Sequence, residues 1–275
     1  MELFLNPETP RLFLTMFYAT MVWLSLGFAC TPHPKSPTQR SEKVAQITPG
    51  DETLVDSTKI HYLTGRFDPD QHPDFVLIPS EYADRAGLYL RQEALEAFIK
   101  MNTAAKKDGI ALKIISATRN FVAQKRIWEE KWTGKRPVTG TANILQIKDP
   151  VKRAELILLY SSMPGTSRHH WGTDVDLNAL NNEYFTTGAG LKTYQWLLTH
   201  AADYGFCQPY NAGRVNGYQE EKWHWSYLPV SIELTAYATQ HLRDQDITGF
   251  LGAETAAKIQ VVEKYVLGIN PACHQ

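Results

Sequence analysis

The chain has no excess of charge of either sign, since 28 Lys and Arg stand against 29 Asp and Glu for a net charge of -1. No broad cationic surface is available for nucleic acid, so no nucleic-acid partner is expected. Cysteine is scarce, with three residues in 275, and Cys207 and Cys273 are not arranged as a metal-ligand pair. No serine has a lysine three residues later and G-x-S-x-G is absent, which argues against an activated serine nucleophile of either kind. H-E-x-x-H, the helical zinc-peptidase motif, is also missing, and there is no internal repeat. With 43% hydrophobic and 21% charged residues the composition is nonetheless that of a globular chain, and it excludes disorder throughout.

The N-terminal region is organised differently from the rest. Leu12 to Ala29 is uncharged and apolar, follows Arg11 and is closed by Cys30. It reads as a secretion signal or a short membrane anchor over residues 1–29. Cys30 stands where a bacterial lipoprotein signal places its acylated cysteine, so lipidation, cleavage and uncleaved anchoring are three open readings, and all three put the remainder outside the cytoplasm. Residues 30–54 are rich in Pro, Ser, Thr, Lys and Gln and suit a tether. The folded domain is expected over 55–275. In an exported chain Cys207 and Cys273 can form one disulfide; two separately buried thiols are the alternative.

Hydrophobic spacing predicts a helix from Leu90 to Lys107, a buried strand over Ala111 to Arg119, and a helix from Phe121 to Trp132 capped by Asn120. Asp149 and Pro150 form a cap and first-turn pair for another helix. The segment GTDVDLNAL reads as a strand, LKTYQWLLTHAADYG as a helix stopped by Gly205, WHWSY from Trp223 as a strand, and most of Ile232 to Leu267 as helical. Mixed elements with antiparallel pairing indicate an α+β fold, a small antiparallel sheet flanked by helices.

Two segments concentrate the chemistry-bearing residues: SRHHWGTDVD, from Ser167 to Asp176, and EKWHW, from Glu221 to Trp225. A zinc hydrolase needs three protein ligands, usually imidazole or carboxylate, and a fourth position left for water. His169, Asp176 and His224 can supply them. Gly172 permits a turn between a loop histidine and a strand aspartate. On that strand Asp174 and Asp176 face the same side, so Asp174 is either an outer partner of the site or an alternative ligand. His224 is expected to point away from Trp223 and Trp225, which would pack. Glu221, in a turn leading into the strand, can take a proton from a metal-activated water. Arg119, at the end of a strand, can bind a substrate carboxylate or stabilise an oxyanion, with Gln124 one helical turn further on. His170 reads as structural.

Taken together these residues resemble the signature of the zinc D-alanyl-D-alanine carboxypeptidases related to vancomycin-resistance D,D-carboxypeptidases, S-x-H-x-x-G-x-A-x-D followed by E-x-x-H. Ser167, His169, Gly172 and Asp176 match the first part, and Glu221 with His224 the second. Ser116, Arg119 and Gln124 match an upstream S-x-x-R-S-x-x-x-Q segment. The chain departs from the pattern at Asp174, where a small alanine is usual, and at Asn120, where serine is usual.

The resemblance implies the α+β core shared with hedgehog-type zinc peptidases and one zinc ion held by His169, Asp176 and His224. It makes Glu221 the catalytic base, Arg119 the anion stabiliser, and Arg119, Gln124 and Ser167 the substrate contacts. It implies a substrate, the stem peptides of peptidoglycan, and a place in the bacterial cell envelope, periplasmic or held to the membrane by the N-terminal anchor or a lipid. Removal of a terminal D-alanine is the leading expectation. An L,D-carboxypeptidase acting on tetrapeptide stems and a non-catalytic zinc-containing peptidoglycan-binding domain are the alternatives.

Overall fold

A computed structural model describes residues 56–274. The apolar segment Leu12–Ala29, Cys30 and the tether expected over 30–54 lie outside the described residues. Among the described residues no helix is long and apolar enough to cross a membrane.

The elements in chain order are α1 (Ser57–Leu63), β1 (Phe75–Leu77), β2 (Tyr89–Arg91), α2 (Gln92–Lys107), β3 (Ile114–Ser116), α3 (Phe121–Trp132), α4 (Pro150–Leu158), β4 (Asp174–Leu177), α5 (Gly188–His200), β5 (Phe206–Cys207), β6 (His224–Tyr227), α6 (Leu228–His241) and α7 (Ala256–Ile259). Strands β1 and β2 form an antiparallel pair. The other four form an antiparallel sheet in the order β3-β4-β6-β5. The class is therefore α+β, with two small antiparallel sheets flanked by helices.

Side-chain alternation on the central strands divides the interior. Val175, Leu177 and Trp225 point to one face, where they pack with Leu95, Phe98 and Met101 of α2 and Trp196 and Leu197 of α5. The opposite face carries Asp174, Asp176, His224 and Ser226. A second apolar cluster contains Trp128 of α3, Ile157 and Leu158 of α4, Leu234 and Ala238 of α6, and Trp171. All four residues of β4 are buried, so its two carboxylates sit in the interior and need partners there.

Local signals placed several elements well. Asn120 caps α3, accepting from the Ala123 amide at 2.9 Å, and Asp149 caps α4 in the same way through Val151 at 2.9 Å. Gly205, at φ 78°, ends the turn that follows α5. Cys207 and Cys273 are joined as a disulfide, tying β5 to the C-terminal segment.

Other expectations are corrected. The helix predicted from Leu90 starts at Gln92, because Tyr89–Arg91 pairs with Phe75–Leu77 as a strand. The strand read over Ala111–Arg119 contracts to Ile114–Ser116, since only this part finds ladder partners on β4. Ile232–Leu267 is less helical than predicted: beyond α6 the chain forms short turns, the one-turn α7, and a π-helical turn at Val262–Val266.

Gly172 adopts φ 70°, a conformation costly for any residue with a Cβ, and a Cβ there would meet the Phe75 ring. Both constraints act at the turn that carries His169 into β4. Gly172→Ala is expected to destabilise the fold by about 1–3 kcal/mol, measured by denaturant unfolding.

Candidate metal centre

Three segments converge on one point. Arg168–Trp171 forms a short 3-10 turn ended by Gly172, and its His169 carbonyl accepts from the Arg119 amide at 3.1 Å. β4 supplies Asp176. β6 pairs with β4 so that His224 lies directly opposite Asp176. Glu221 lies in the turn before β6, which is closed by the His224 amide donating to the Glu221 carbonyl at 3.2 Å.

His169, Asp176 and His224 each present a ligand atom, all within 4.8 Å of one another, and all three residues are buried. Each imidazole is anchored through its other nitrogen. His169 Nδ1 contacts the Ala117 carbonyl at 2.8 Å, so the neutral ring donates there and turns the Nε2 lone pair toward Asp176 Oδ2, 3.3 Å away. His224 is held the other way round: Nε2 contacts Asp174 Oδ2 at 2.8 Å, leaving Nδ1 at 3.1 Å from Asp176 Oδ1 and 3.4 Å from Glu221 Oε2.

Two of the convergent atoms lack hydrogen-bond partners. His169 Nε2 and Asp176 Oδ1 are buried with no hydrogen bond of acceptable geometry. Orphaned buried polar atoms are costly, and two of them aimed at one point are what a bound cation would satisfy. The donor set, two imidazoles and a carboxylate, fits a divalent metal of the zinc type.

Electrostatics point the same way. Burial, with the nearby Arg119 guanidinium, lowers the His169 pKa and keeps the ring neutral, as a ligand must be. Burial opposes the ionisation of Asp176, but the imidazoles it faces outweigh it and hold the carboxyl well below its ordinary range. Burial raises the Glu221 pKa, against the pull of its contact with His224. At His224 burial favours the neutral ring, yet contacts to Asp174, Asp176 and Glu221 raise its pKa well above the ordinary value. Three carboxylates around one imidazole call for positive charge, which either a proton or a metal ion can supply.

The His169, Asp176 and His224 cluster lies in the wall of a cavity of about 620 Å³. Arg119 and Gln124 line it together with His169, Asp176, Glu221 and His224. Arg119 Nε and Gln124 Oε1 are both buried without partners, while Gln124 Nε2 donates to the Ser162 carbonyl at 2.7 Å. Ser167 is placed differently: it is 1% exposed, its hydroxyl is buried without a partner, and it does not belong to the cavity wall. His170 has a structural part. Its Nδ1 faces the Arg119 carbonyl and its Nε2 accepts from the Gly165 amide at 3.0 Å, while burial pushes its pKa down to about 3.

The sequence reading passed over Lys131, Tyr160, Tyr210 and Tyr218, which also line the cavity. Lys131 was accessible in principle, since it shares a helical face with Gln124 and Ile127. Tyr160 follows α4, while Tyr210 and Tyr218 share the loop between β5 and β6, and none carried a local signal. Trp223 is a correction: it was expected to pack away from the site but lines the same cavity as His224, because strand alternation begins only at His224. Trp225 does pack on the opposite face.

A buried two-histidine, one-carboxylate donor set with a further carboxylate beside it is that of a metal-dependent hydrolase. Residues 87–230, more than half of the chain, match the VanY family, D-alanyl-D-alanine carboxypeptidase, and the chain belongs to that family. It is 27% identical over 201 residues to YodJ of Bacillus subtilis (strain 168), named as a carboxypeptidase, a match covering 69% of this chain and 63% of the relative. It is 27% identical over 136 residues to a D-alanyl-D-alanine carboxypeptidase of Enterococcus faecalis (strain ATCC 700802 / V583), covering 49% of this chain and 46% of that protein. The matches thus span less than two thirds of each relative. Among solved structures, the LdcB LD-carboxypeptidase is similar at 25% identity and a TM-score of 0.46, covering 73% of this chain and 81% of that one.

Metal analysis of the purified chain is expected to find about one equivalent of a divalent transition metal. His169→Ala and His224→Ala should each lose most of it, and full retention by either variant would remove that residue from the donor set.

Proposed function

We propose that the chain is a zinc-dependent D,D-carboxypeptidase that removes the terminal D-alanine from peptidoglycan stem peptides in the bacterial cell envelope. The observation that carries this reading is the convergence of His169, Asp176 and His224 with Glu221 in a cavity that also holds Arg119, which makes no ion pair among the described residues. Family membership supports the substrate class. The charge-free segment Leu12–Ala29, with Cys30 after it, supports export and attachment by an anchor or a lipid.

In this reading His169 Nε2, Asp176 and His224 Nδ1 hold one zinc ion. Zinc so held polarises a carbonyl as a Lewis acid and lowers the pKa of a bound water to about 7. Glu221 is the base. It sits 3.4 Å from His224 Nδ1 and burial raises its pKa, so it can take a proton from the attacking water and return it to the departing amino group. Proton transfer through one carboxylate balances the hydrolysis: water adds to the carbonyl carbon, the C–N bond breaks, and D-alanine leaves as the amine.

Arg119 meets negative charge. A carboxypeptidase must recognise a free α-carboxylate, and the guanidinium offers several fixed donors for it or for the oxyanion that forms on the carbonyl. His170 steadies the Arg119 backbone from below. The free Gln124 Oε1 can accept from a substrate amide, and Ser167 is retained as a proposed contact on the strength of the motif alone.

Defined muropeptides test the reading directly. Release of D-alanine from a pentapeptide stem, abolished by a chelator and restored by zinc, is expected; cleavage of the tetrapeptide stem only would replace D,D by L,D specificity. Glu221→Gln should lower kcat by about 10²–10⁴-fold while zinc still binds, and an unchanged rate would remove Glu221 as the base. Arg119→Met should lower kcat/KM by about 10²–10³-fold, measured on the same peptide.

A further inference from the structure

Asp174 and Arg168 take no part in the chemistry above, yet the side chains of both are 0% exposed. A fully buried ion pair beside a metal centre is expensive to desolvate, so its contacts bear on what it does. Asp174 Oδ1 accepts from Thr173 Oγ1 at 2.6 Å and from Ser226 Oγ at 2.7 Å. Asp174 Oδ2 accepts from Arg168 Nε at 3.2 Å and contacts His224 Nε2 at 2.8 Å. Arg168 in turn donates to Thr235 Oγ1 at 3.0 Å and Ser226 Oγ at 2.9 Å, with its guanidinium 4.4 Å from the centre of the Trp171 ring.

Both oxygens of Asp174 are therefore committed to protein donors, and neither remains for a cation. This removes Asp174 as an alternative ligand. Its one contact that leads toward the site is His224 Nε2, on the far side of the ring from Asp176 and Glu221.

We propose that Arg168 and Asp174 form a positioning pair that fixes His224 as an Nδ1 donor and thereby sets the metal affinity of the site. The inference rests on His224 being a ligand. A neutral imidazole carries one N–H, and a carboxylate at Nε2 holds the proton there, leaving the Nδ1 lone pair free toward Asp176. Carboxylates that hold a ligand histidine in this way also raise its basicity toward the metal. Arg168 balances the carboxylate charge and, with Ser226 and Thr173, prevents Asp174 from turning toward the ligand atoms. Asp174 stands where the S-x-H-x-x-G-x-A-x-D pattern has a small residue that could make no such contact, so the pair is a feature of this chain beyond that pattern.

The test compares the wild-type chain, Asp174→Ala, and the double variant Arg168→Met/Asp174→Ala. Zinc affinity is read by competition with a chromophoric chelator, and stability by thermal unfolding. Asp174→Ala is expected to weaken zinc binding by about 10–100-fold and to lower the unfolding midpoint, because Arg168 is left buried and unpaired. The double variant, with neither charge, should recover the midpoint and keep the weakened zinc affinity. Wild-type affinity in the double variant would show the pair to be structural only and overturn the proposal. Independently of either variant folding, nitrogen chemical shifts of the zinc-loaded wild-type chain should report His224 protonated at Nε2, and the opposite tautomer would also overturn it. A wild-type chain that binds no zinc would instead remove the ligand reading, and this inference with it.

Discussion

The register between β4 and β6 is the constraint on which the site depends. Antiparallel pairing sets Asp176 opposite His224 and Asp174 opposite Ser226, so one imidazole lies between two carboxylates two residues apart on the neighbouring strand. A slip of one residue would turn these side chains to the apolar face and put Val175 and Trp225 in their place. Packing of Val175, Leu177 and Trp225 against α2 and α5 opposes such a slip. The hydrophobic core on one face of the sheet therefore holds the polar centre on the other.

Around this register, adjacent segments are tied to the same few atoms. The Arg168–Trp171 turn contributes His169 to the candidate donor cluster, while its His169 carbonyl and His170 ring engage the backbone of Arg119. Ala117, just beyond β3, receives the other nitrogen of His169. The loop that presents Arg119 and the turn that presents His169 are thus one hydrogen-bonded unit. Displacing either would move both Arg119, which lines the cavity, and His169, one of the three clustered donors.

The charge arrangement explains why the centre is buried. Asp174, Asp176 and Glu221 surround His224, and Arg168 balances their charge from one side. Orphaned His169 Nε2 and Asp176 Oδ1 mark where the protein alone does not complete the network. In a buried, low-dielectric setting an incomplete network is costly, and the same setting strengthens binding of an ion that completes it.

By itself the sequence determined the class of elements and singled out the residues that meet at the candidate site. Asn120 and Asp149 are caps, Gly172 and Gly205 are turn residues, and His169, Asp176, Glu221 and His224 stand at ordered spacings, all of them properties of short segments. It overextended the strand at Ala111–Arg119 and the helices of Ile232–Leu267, because an apolar run reports burial without reporting whether a ladder partner exists. It left Asp174 open between ligand and outer partner, since period two places Asp174 and Asp176 on the same face without saying what stands opposite each. Only the tertiary structure decided that question, along with the inclusion of Lys131, Trp223 and the three tyrosines in the cavity wall. These depend on contacts between segments as distant as Asp174 and Ser226 or Arg168 and Thr235, and such contacts are set by strand register and helix packing, which no local spacing encodes.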